Sequence, residues 1–228
     1  MAGIDDSTGA IVLDLRGLSE LTGALIERIN TACDGAGSAG DIALVLVLGG
    51  EGTGPAWPGP VGIHAVNRWE KALRRVERLG ALTVAAVSGR CVGPAVELLL
   101  TTDYRVAAPD TVLRVAADSG GAWPGMVLHR LATQIGAGRA RGLALSGATV
   151  SMAKATTLGL VDDVAEDPHT HALSAVKAGG LVAGPELAVR RGLVLDAVTT
   201  SFEEALGAHL AACDRELRRT MAIPGVGV

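Results

Sequence analysis

The sequence predicts an α/β core followed by a helical C-terminal region. Short apolar segments typical of buried strands alternate with amphipathic helical patterns through the first half of the 228-residue chain, and helical patterns dominate the second half. Hydrophobic residues make up 49% of the chain and charged residues 19%, so the chain can bury a sizeable core and is not intrinsically disordered. We place the α/β core in residues 1–165 and the helical region in residues 166–228.

The first elements of the core follow from the spacing of apolar residues. Residues 11–15 predict a strand. Residues 20–33 carry apolar side chains three or four positions apart, which predicts a helix that ends in the glycine-rich segment 35–40. Residues 42–48 are apolar throughout, as is typical of a central strand in a sheet covered on both faces. The glycines and prolines of residues 49–60 then predict a loop.

Two helices and a buried strand follow this loop. An amphipathic pattern over residues 63–79 predicts a helix with a basic outer face. Residues 83–87 predict a buried strand that ends in a turn at residues 88–90, and residues 94–102 predict a helix. The basic face suits a phosphate-bearing ligand or an acidic partner, and a solvated surface is its simpler interpretation. The basic residues are Arg68, Lys71, Arg74, Arg75 and Arg78.

The remaining elements are mostly helical. Two short strands are predicted at residues 104–107 and 112–115, and from residue 124 onward the pattern is helical almost to the end. The last helix carries a single apolar stripe. Its members are Phe202, Leu206, Leu210, Cys213 and Leu217.

Composition and charge exclude several classes of function. The chain has 20 basic and 24 acidic side chains, a formal net charge of −4 and only 2% aromatic residues, so we expect no nucleic-acid partner. The longest apolar run, residues 42–48, is too short to span a bilayer, and the acidic start of the chain does not resemble a secretion signal. We therefore expect a cytoplasmic protein with no membrane partner.

Cysteine and histidine residues form no pattern typical of a metal site or a disulfide framework. Cys33, Cys91 and Cys213 are far apart and odd in number, so we expect buried reduced thiols. His169 and His171 suit a metal as a pair, but no nearby cluster completes a site, and solvated histidines at a helix start are the simpler interpretation. Dinucleotide-binding, P-loop, serine-hydrolase and zinc-protease motifs are absent from the sequence. We expect no metal and no bound cofactor.

One glutamate stands at the start of a predicted helix. A strand and a turn lead to Gly93 and Pro94, and Glu97 follows in the first helical turn. The backbone N–H groups and the dipole at such a helix start suit a developing oxyanion, and Glu97 then suits an acid or base beside it. The alternative is purely structural: an ordinary first-turn proline and a carboxylate that stabilises the helix dipole.

Residues 82–108 resemble the signature of the crotonase (enoyl-CoA hydratase/isomerase) superfamily. In that signature a strand of the type P-x-I-A-A-V-x-G leads to G-G-G-x-E-L-A-L-x-C-D-x-R-I-A-A. The signature matches residues 84–89, 97–103 and 105–108 in this order. Further segments of the family resemble residues 123–125, 140–147 and 151–162. The resemblance covers residues 10–220. It implies a crotonase-like core of stacked ββα turns, a C-terminal helical region that assembles a trimer or a dimer of trimers, and a pocket for an acyl-CoA thioester.

The chain departs from the superfamily pattern at the oxyanion hole. The resemblance implies that one backbone N–H comes from the loop after the second strand, here Ala56 or Trp57. The other comes from the middle of the G-G-G segment, where this chain has Pro94, which has no N–H. Loss of one such donor costs on the order of 10²–10³ in rate. Unless Gly93 or Ala95 supplies the missing donor through a shifted turn, the oxyanion hole is half built.

A second departure concerns the pair of glutamates that hydratases use. Glu97 matches the first glutamate. By register the second falls at Ala117, and Asp118 is the neighbouring carboxylate that a one-residue shift would bring into the pocket. Without that shift one carboxylate remains, which favours dehydration or double-bond isomerisation by Glu97 over hydration of a simple enoyl thioester.

Two functions remain open at this point. Within the superfamily the chain most resembles small accessory members from high-GC bacteria that act in 3,5-dihydroxyphenylglycine and glycopeptide-antibiotic biosynthesis. Those members work beside a type III polyketide synthase that makes 3,5-dihydroxyphenylacetyl-CoA. The resemblance implies dehydration of a polyketide CoA thioester. Pro94 and Ala117 favour the alternative, a partner protein that has lost catalysis and activates or stabilises a synthase in a hetero-oligomer.

Overall fold

A central β-sheet organises the chain in the computed structural model, which describes residues 2–5, 9–38, 42–51, 57–115, 123, 125–178 and 184–221. The strands are β1 (Ala2–Asp5), β2 (Ala10–Asp14), β3 (Ala43–Gly50), β4 (Thr83–Cys91), β5 (Tyr104–Ala107), β6 (Val112–Leu113) and β7 (Asp163–Val164). The helices are α1 (Gly23–Ser38), α2 (Ile63–Glu77), α3 (Pro94–Leu99), α4 (Val127–Ile135), α5 (Ala137–Ser146), α6 (Met152–Thr157), α7 (Pro168–Lys177), α8 (Pro185–Ala197) and α9 (Phe202–Met221).

The described strands form a seven-stranded, mostly parallel sheet in the order β1-β2-β3-β4-β5-β7, and β6 pairs with β4. Strand β1 is antiparallel to β2, and the other pairings are parallel. Parallel neighbours need crossover connections, and α1 and α2 provide them between β2, β3 and β4. The predicted α/β core is thereby confirmed. Strand β1 was not predicted from the sequence.

Hydrophobic residues on both faces of the sheet explain the continuous apolar run of β3. Leu44, Leu46 and Leu48 point into the larger core cluster, which also contains residues of α1, α2, α3 and α4. Val45, which alternates with them, belongs to a smaller cluster with Ala172 of α7 on the opposite face. A strand buried on both faces is expected to lack polar alternation.

Helix α1 is longer than its pattern indicates. The apolar pattern covers residues 20–33, and the helix continues into the glycine-rich segment and ends within it, at Ser38. A Cβ built on Gly35 would lie 2.7 Å from Cδ1 of Ile11 on β2. The glycine at this position therefore allows close packing of the helix against the sheet and does not end the helix.

Strand β4 also extends beyond its prediction. The predicted turn at residues 88–90 is wrong, because this segment continues as strand to Cys91 and pairs with β3 as far as Gly89. Gly49 and Gly89 have φ of 93° and 69°. A Cβ on Gly49 would lie 2.1 Å from the Ser88 carbonyl oxygen, and one on Gly89 would lie 2.6 Å from the Gly50 carbonyl oxygen. The two glycines permit backbone-to-backbone contact at the ends of β3 and β4.

The last helix, α9, exposes its apolar stripe. Phe202 is 76% exposed. Cys213 on the same helix is exposed, so the expectation of three buried thiols is wrong for this residue, whereas Cys33 and Cys91 are buried. Burial raises the pKa of the Cys33 thiol to about 11 and that of Cys91 to about 12. Among the described helices, none is long and apolar enough to cross a bilayer.

Candidate active site

Glu97 lies buried at the start of α3, directly after the central strand β4. Gly93, with φ of 54°, precedes the helix, and Pro94 occupies its first turn. The amides of Val96 and Glu97 donate to the Gly93 carbonyl at 3.1 and 3.2 Å. Only 1% of Glu97 is exposed. The segment after the strand therefore places a carboxyl group inside the protein, where burial disfavours its charged form.

Two indole rings hold the Glu97 carboxyl group. Trp69 Nε1, on α2, donates to Oε2 at 2.6 Å, and Trp57 Nε1, after β3, donates to Oε1 at 3.3 Å. The two rings meet edge to face with centroids 5.2 Å apart and planes at 63°. The shorter bond anchors Oε2. Oε1, with the longer bond, is therefore the oxygen better placed to exchange a proton with a ligand.

The surroundings of Glu97 raise the pKa of its carboxyl group from 4.5 to about 7. Burial is the largest cause, because it disfavours the charged form, and the nearby carboxylate of Glu70 acts in the same direction. The indole donors and Arg130 partly offset the rise. A carboxyl group with a pKa near neutral pH can both take and give a proton under physiological conditions.

An ion-pair network beside Glu97 connects α2 to α4. Arg130 Nη1 lies 3.0 Å from Glu70 Oε2, and Arg130 Nε lies 3.5 Å from Glu77 Oε1. Glu70 also accepts a hydrogen bond from the Met126 amide at 3.1 Å. These contacts fix the start of α4, and with it the neighbouring Gly125, next to the carboxyl group.

The third indole of the chain lies at the same place. A Cβ built on Gly125 would lie 3.2 Å from Glu97 Oε1 and 3.0 Å from Trp123 Nε1. All three tryptophans of the sequence therefore surround one carboxyl group, although aromatic residues are scarce. Sequence reasoning missed Trp69 and Trp123 as site residues. The available signal was that Trp123 lies within a segment that matches the family and that a chain with so few aromatic residues retains three tryptophans.

The backbone donors expected for an oxyanion hole are partly in place. Trp57 and Gly93 are neighbours, since a Cβ on Gly93 would lie 3.6 Å from Trp57 Cβ. The Ala95 amide donates to the Val92 carbonyl at 3.2 Å, and no described backbone group accepts a hydrogen bond from the Gly93 amide. Pro94 has no N–H. The remaining predicted site residues lie outside the described part of the chain. They are Ala56, Ala117 and Asp118.

The basic face of α2 is largely paired within the chain. Arg74 Nη1 lies 2.6 Å from Glu77 Oε2, and Arg75 and Arg78 form ion pairs with Asp34 and Asp196. Of the five basic residues on this face, Arg68 and Lys71 form no ion pair among the described residues. The predicted binding of phosphate groups or an acidic partner would therefore depend on these two residues.

A large cavity among the described residues lies away from the Glu97 carboxyl group. It has a volume of about 760 Å³ and lies among α2, α4, α8 and the residues that follow α3. Arginines that form ion pairs, including Arg130 and Arg191, line it, and Glu97 does not. We therefore place the candidate active site at the three indoles and not in this cavity.

Comparison with known proteins identifies the family. Residues 65–221 match the family described as enoyl-CoA hydratase/isomerase. The chain belongs to the enoyl-CoA hydratase/isomerase family. A protein from Amycolatopsis orientalis named enoyl-CoA-hydratase is 40% identical over 211 residues, which is 92% of this chain and 97% of the relative. A mitochondrial Δ(3,5)-Δ(2,4)-dienoyl-CoA isomerase from Dictyostelium discoideum is 30% identical over 112 residues, which is 46% of this chain and 36% of the relative.

Solved structures share the fold. An enoyl-CoA hydratase/isomerase family protein from Silicibacter pomeroyi superposes with a TM-score of 0.79 at 19% identity, covering 99% of this chain and 100% of that one. An enoyl-CoA hydratase from Mycobacterium smegmatis gives 0.73 at 20% identity, covering 94% of this chain and 90% of that one. The predicted crotonase fold and the prediction of a hydratase/isomerase-like enzyme are confirmed.

Proposed function

We propose that the protein catalyses dehydration or double-bond isomerisation of an acyl-CoA thioester, with Glu97 as the general acid and base. One observation carries this proposal: a buried carboxyl group with a pKa of about 7, anchored through Oε2 by Trp69, near the contact between Trp57 and Gly93. An acid with this pKa suits both halves of a proton-transfer reaction at neutral pH.

A single carboxyl group is sufficient for both reactions. In dehydration, ionised Glu97 takes the proton from Cα, and the thioester oxygen becomes an enolate held by the Trp57 and Gly93 amides. Glu97 then gives this proton to the 3-hydroxyl group, the C3–O bond breaks, and water leaves as the C2–C3 double bond forms. In isomerisation, Glu97 returns the same proton to a different carbon.

More specifically, we propose that the substrate is a polyketide CoA thioester whose acyl group becomes aromatic when water is lost. Loss of water then has a large driving force, which compensates for the proline in place of one backbone donor. The partly exposed indoles of Trp57 and Trp123 suit a flat ring. By resemblance the product is 3,5-dihydroxyphenylacetyl-CoA, made beside a type III polyketide synthase, and the expected assembly is a trimer or a dimer of trimers.

The exposed stripe of α9 favours a second candidate function. Phe202, Leu210 and Leu217 are 76%, 59% and 59% exposed, and a row of exposed apolar residues suits a protein interface. In this alternative the protein activates or stabilises a synthase without catalysis by Glu97.

Calorimetric titration with acetyl-CoA and phenylacetyl-CoA distinguishes the two functions. The enzyme proposal predicts micromolar, stoichiometric binding, tighter for the aryl ester. Absence of binding up to millimolar ligand contradicts it and favours the partner protein. Pathway output in cells carrying Glu97→Gln gives the second readout, with the exposed Glu203→Gln as the matched control. Unchanged output in the Glu97 variant would exclude a role for the carboxyl group.

A further inference from the structure

The three indole N–H groups around Glu97 differ in one respect. Those of Trp57 and Trp69 donate to the carboxyl oxygens, whereas Trp123 Nε1 is buried and has no hydrogen-bond acceptor among the described residues. A buried donor without a partner costs about 1–3 kcal/mol in a native structure. A group left in this state beside a candidate active site is therefore explained most simply by an acceptor that the ligand brings.

Gly125 separates the free indole donor from the carboxyl group. A Cβ at this position would lie 3.0 Å from Trp123 Nε1 and 3.2 Å from Glu97 Oε1, so both atoms lie against Gly125 and near each other. The glycine, with φ of 35°, places no side chain between the indole donor and the carboxyl group.

We propose that Trp123 Nε1 donates a hydrogen bond to the substrate oxygen that Glu97 protonates, which is the 3-hydroxyl group of a 3-hydroxyacyl-CoA. This inference rests on the proposed function and deepens it by naming the residue that recognises the leaving oxygen. Partial negative charge grows on this oxygen as the C3–O bond breaks, and an N–H donor stabilises that charge. Glu97 supplies the proton, and the oxygen leaves as water.

The chemistry of an indole explains how the site works without a second glutamate. The position that matches the second glutamate of hydratases holds Ala117. An indole N–H donates a hydrogen bond but offers no lone pair for a proton, so Trp123 orients the oxygen and cannot act as a base. All proton transfer then passes through Glu97, as the single-carboxyl reactions above require.

The test uses two esters that differ only in the hydroxyl group, butyryl-CoA and 3-hydroxybutyryl-CoA. The ¹⁵N-labelled protein gives three indole N–H signals, one for each tryptophan, which backbone-linked assignment identifies without any substitution. We expect both esters to bind, and only the hydroxy ester to shift the Trp123 signal downfield. Trp123→Phe keeps the ring and removes the donor. It should remove a roughly 3- to 10-fold preference for the hydroxy ester and leave the affinity for butyryl-CoA unchanged.

The outcomes separate this inference from the proposed function. If both esters bind equally well and the Trp123 signal responds to neither or equally to both, the inference is wrong and the acyl-CoA function stands. If neither ester binds up to millimolar concentration, the proposed function fails and the inference fails with it. The signal of the unsubstituted protein decides the matter even if Trp123→Phe does not fold.

Discussion

Replacing Glu97 with glutamine should change how the stability of the protein depends on pH. The pKa of this carboxyl group rises from 4.5 in the unfolded chain to about 7 in the folded protein. The native state therefore binds the proton more tightly, and its advantage is complete below pH 4.5. As the pH rises above 4.5, the Glu97 carboxyl group ionises first in the unfolded chain, and this contribution to stability is lost as the pH rises through 7.

The magnitude follows from the size of the pKa shift. Each pKa unit corresponds to 1.36 kcal/mol, so the unfolding free energy of the wild-type protein should fall by about 3 kcal/mol between pH 4 and pH 8 through Glu97 alone. Glutamine does not titrate. In Glu97→Gln the amide group faces one indole N–H, which adds a cost of about 1 kcal/mol at every pH. The difference in stability between the two proteins should therefore shift by about 3 kcal/mol in favour of the variant on going from pH 4 to pH 8.

Urea unfolding at pH 4, 6 and 8 measures this difference. Other titrating groups contribute equally to the stability of both proteins, so their contributions cancel in the difference between the two unfolding free energies. Glu203→Gln, on the exposed surface of α9, is the matched control and should follow the wild-type profile. Parallel pH profiles for the wild type and Glu97→Gln would refute the reasoning, because they would show that Glu97 ionises in the folded protein as it does in the unfolded chain.

Four further predictions concern the site and the thiols. Since ionised Glu97 removes the Cα proton, kcat/KM should fall about tenfold per pH unit below pH 7 in a pH–rate profile, and an unchanged rate at pH 5 would contradict this. Trp69→Phe removes a hydrogen bond that lowers the pKa of Glu97, so the same limb should move to higher pH; movement to lower pH would be inconsistent with the bond. Gly125→Ala should cost at least tenfold in kcat/KM because its Cβ crowds Glu97 Oε1. The control is Gly147→Ala, since Gly147 has φ of 58° and an added Cβ there meets open space. It shares the backbone strain of Gly125→Ala but not the crowding, so it should keep the rate; equal losses in both variants would indicate strain alone. In a thiol-labelling time course Cys213 should react in the native protein and the two buried cysteines only after unfolding, and fast labelling of all three would show a looser core.

The fold was largely predictable from local pattern. Apolar runs and helical spacing located β2 to β6, α2 and α3, because burial on one or both faces leaves a periodic signal in the sequence. The differences from the structure lie at glycines. Gly35 and Gly89 are typical of helix ends and turns, yet here they permit close contact with a neighbouring strand. A local pattern does not distinguish these two uses, since the partner strand is distant in sequence.

The site was predictable only in part. Glu97 followed from its place in a motif of contiguous residues. Its two indole donors, Trp57 and Trp69, lie 40 and 28 residues away in the chain. They meet Glu97 only because the parallel pairing of β3 with β4 brings the chain after β3 and the helix α2 to the same end of the sheet. No spacing rule in the sequence expresses that contact, which anchors the carboxyl group and partly offsets the rise in its pKa that burial causes.

Exchange of the Cα protons of phenylacetyl-CoA in D₂O tests the central claim, which is that Glu97 moves a proton at the acyl-CoA Cα. The reaction needs no knowledge of the natural acyl group: the Cα–H bond breaks, the Glu97 O–H exchanges with solvent, and deuterium returns to Cα. We expect exchange by the wild-type protein that slows on the order of 10²-fold or more in Glu97→Gln and is unchanged in Glu203→Gln. Bound ester that does not exchange, or exchange at the same rate in Glu97→Gln, would contradict the account.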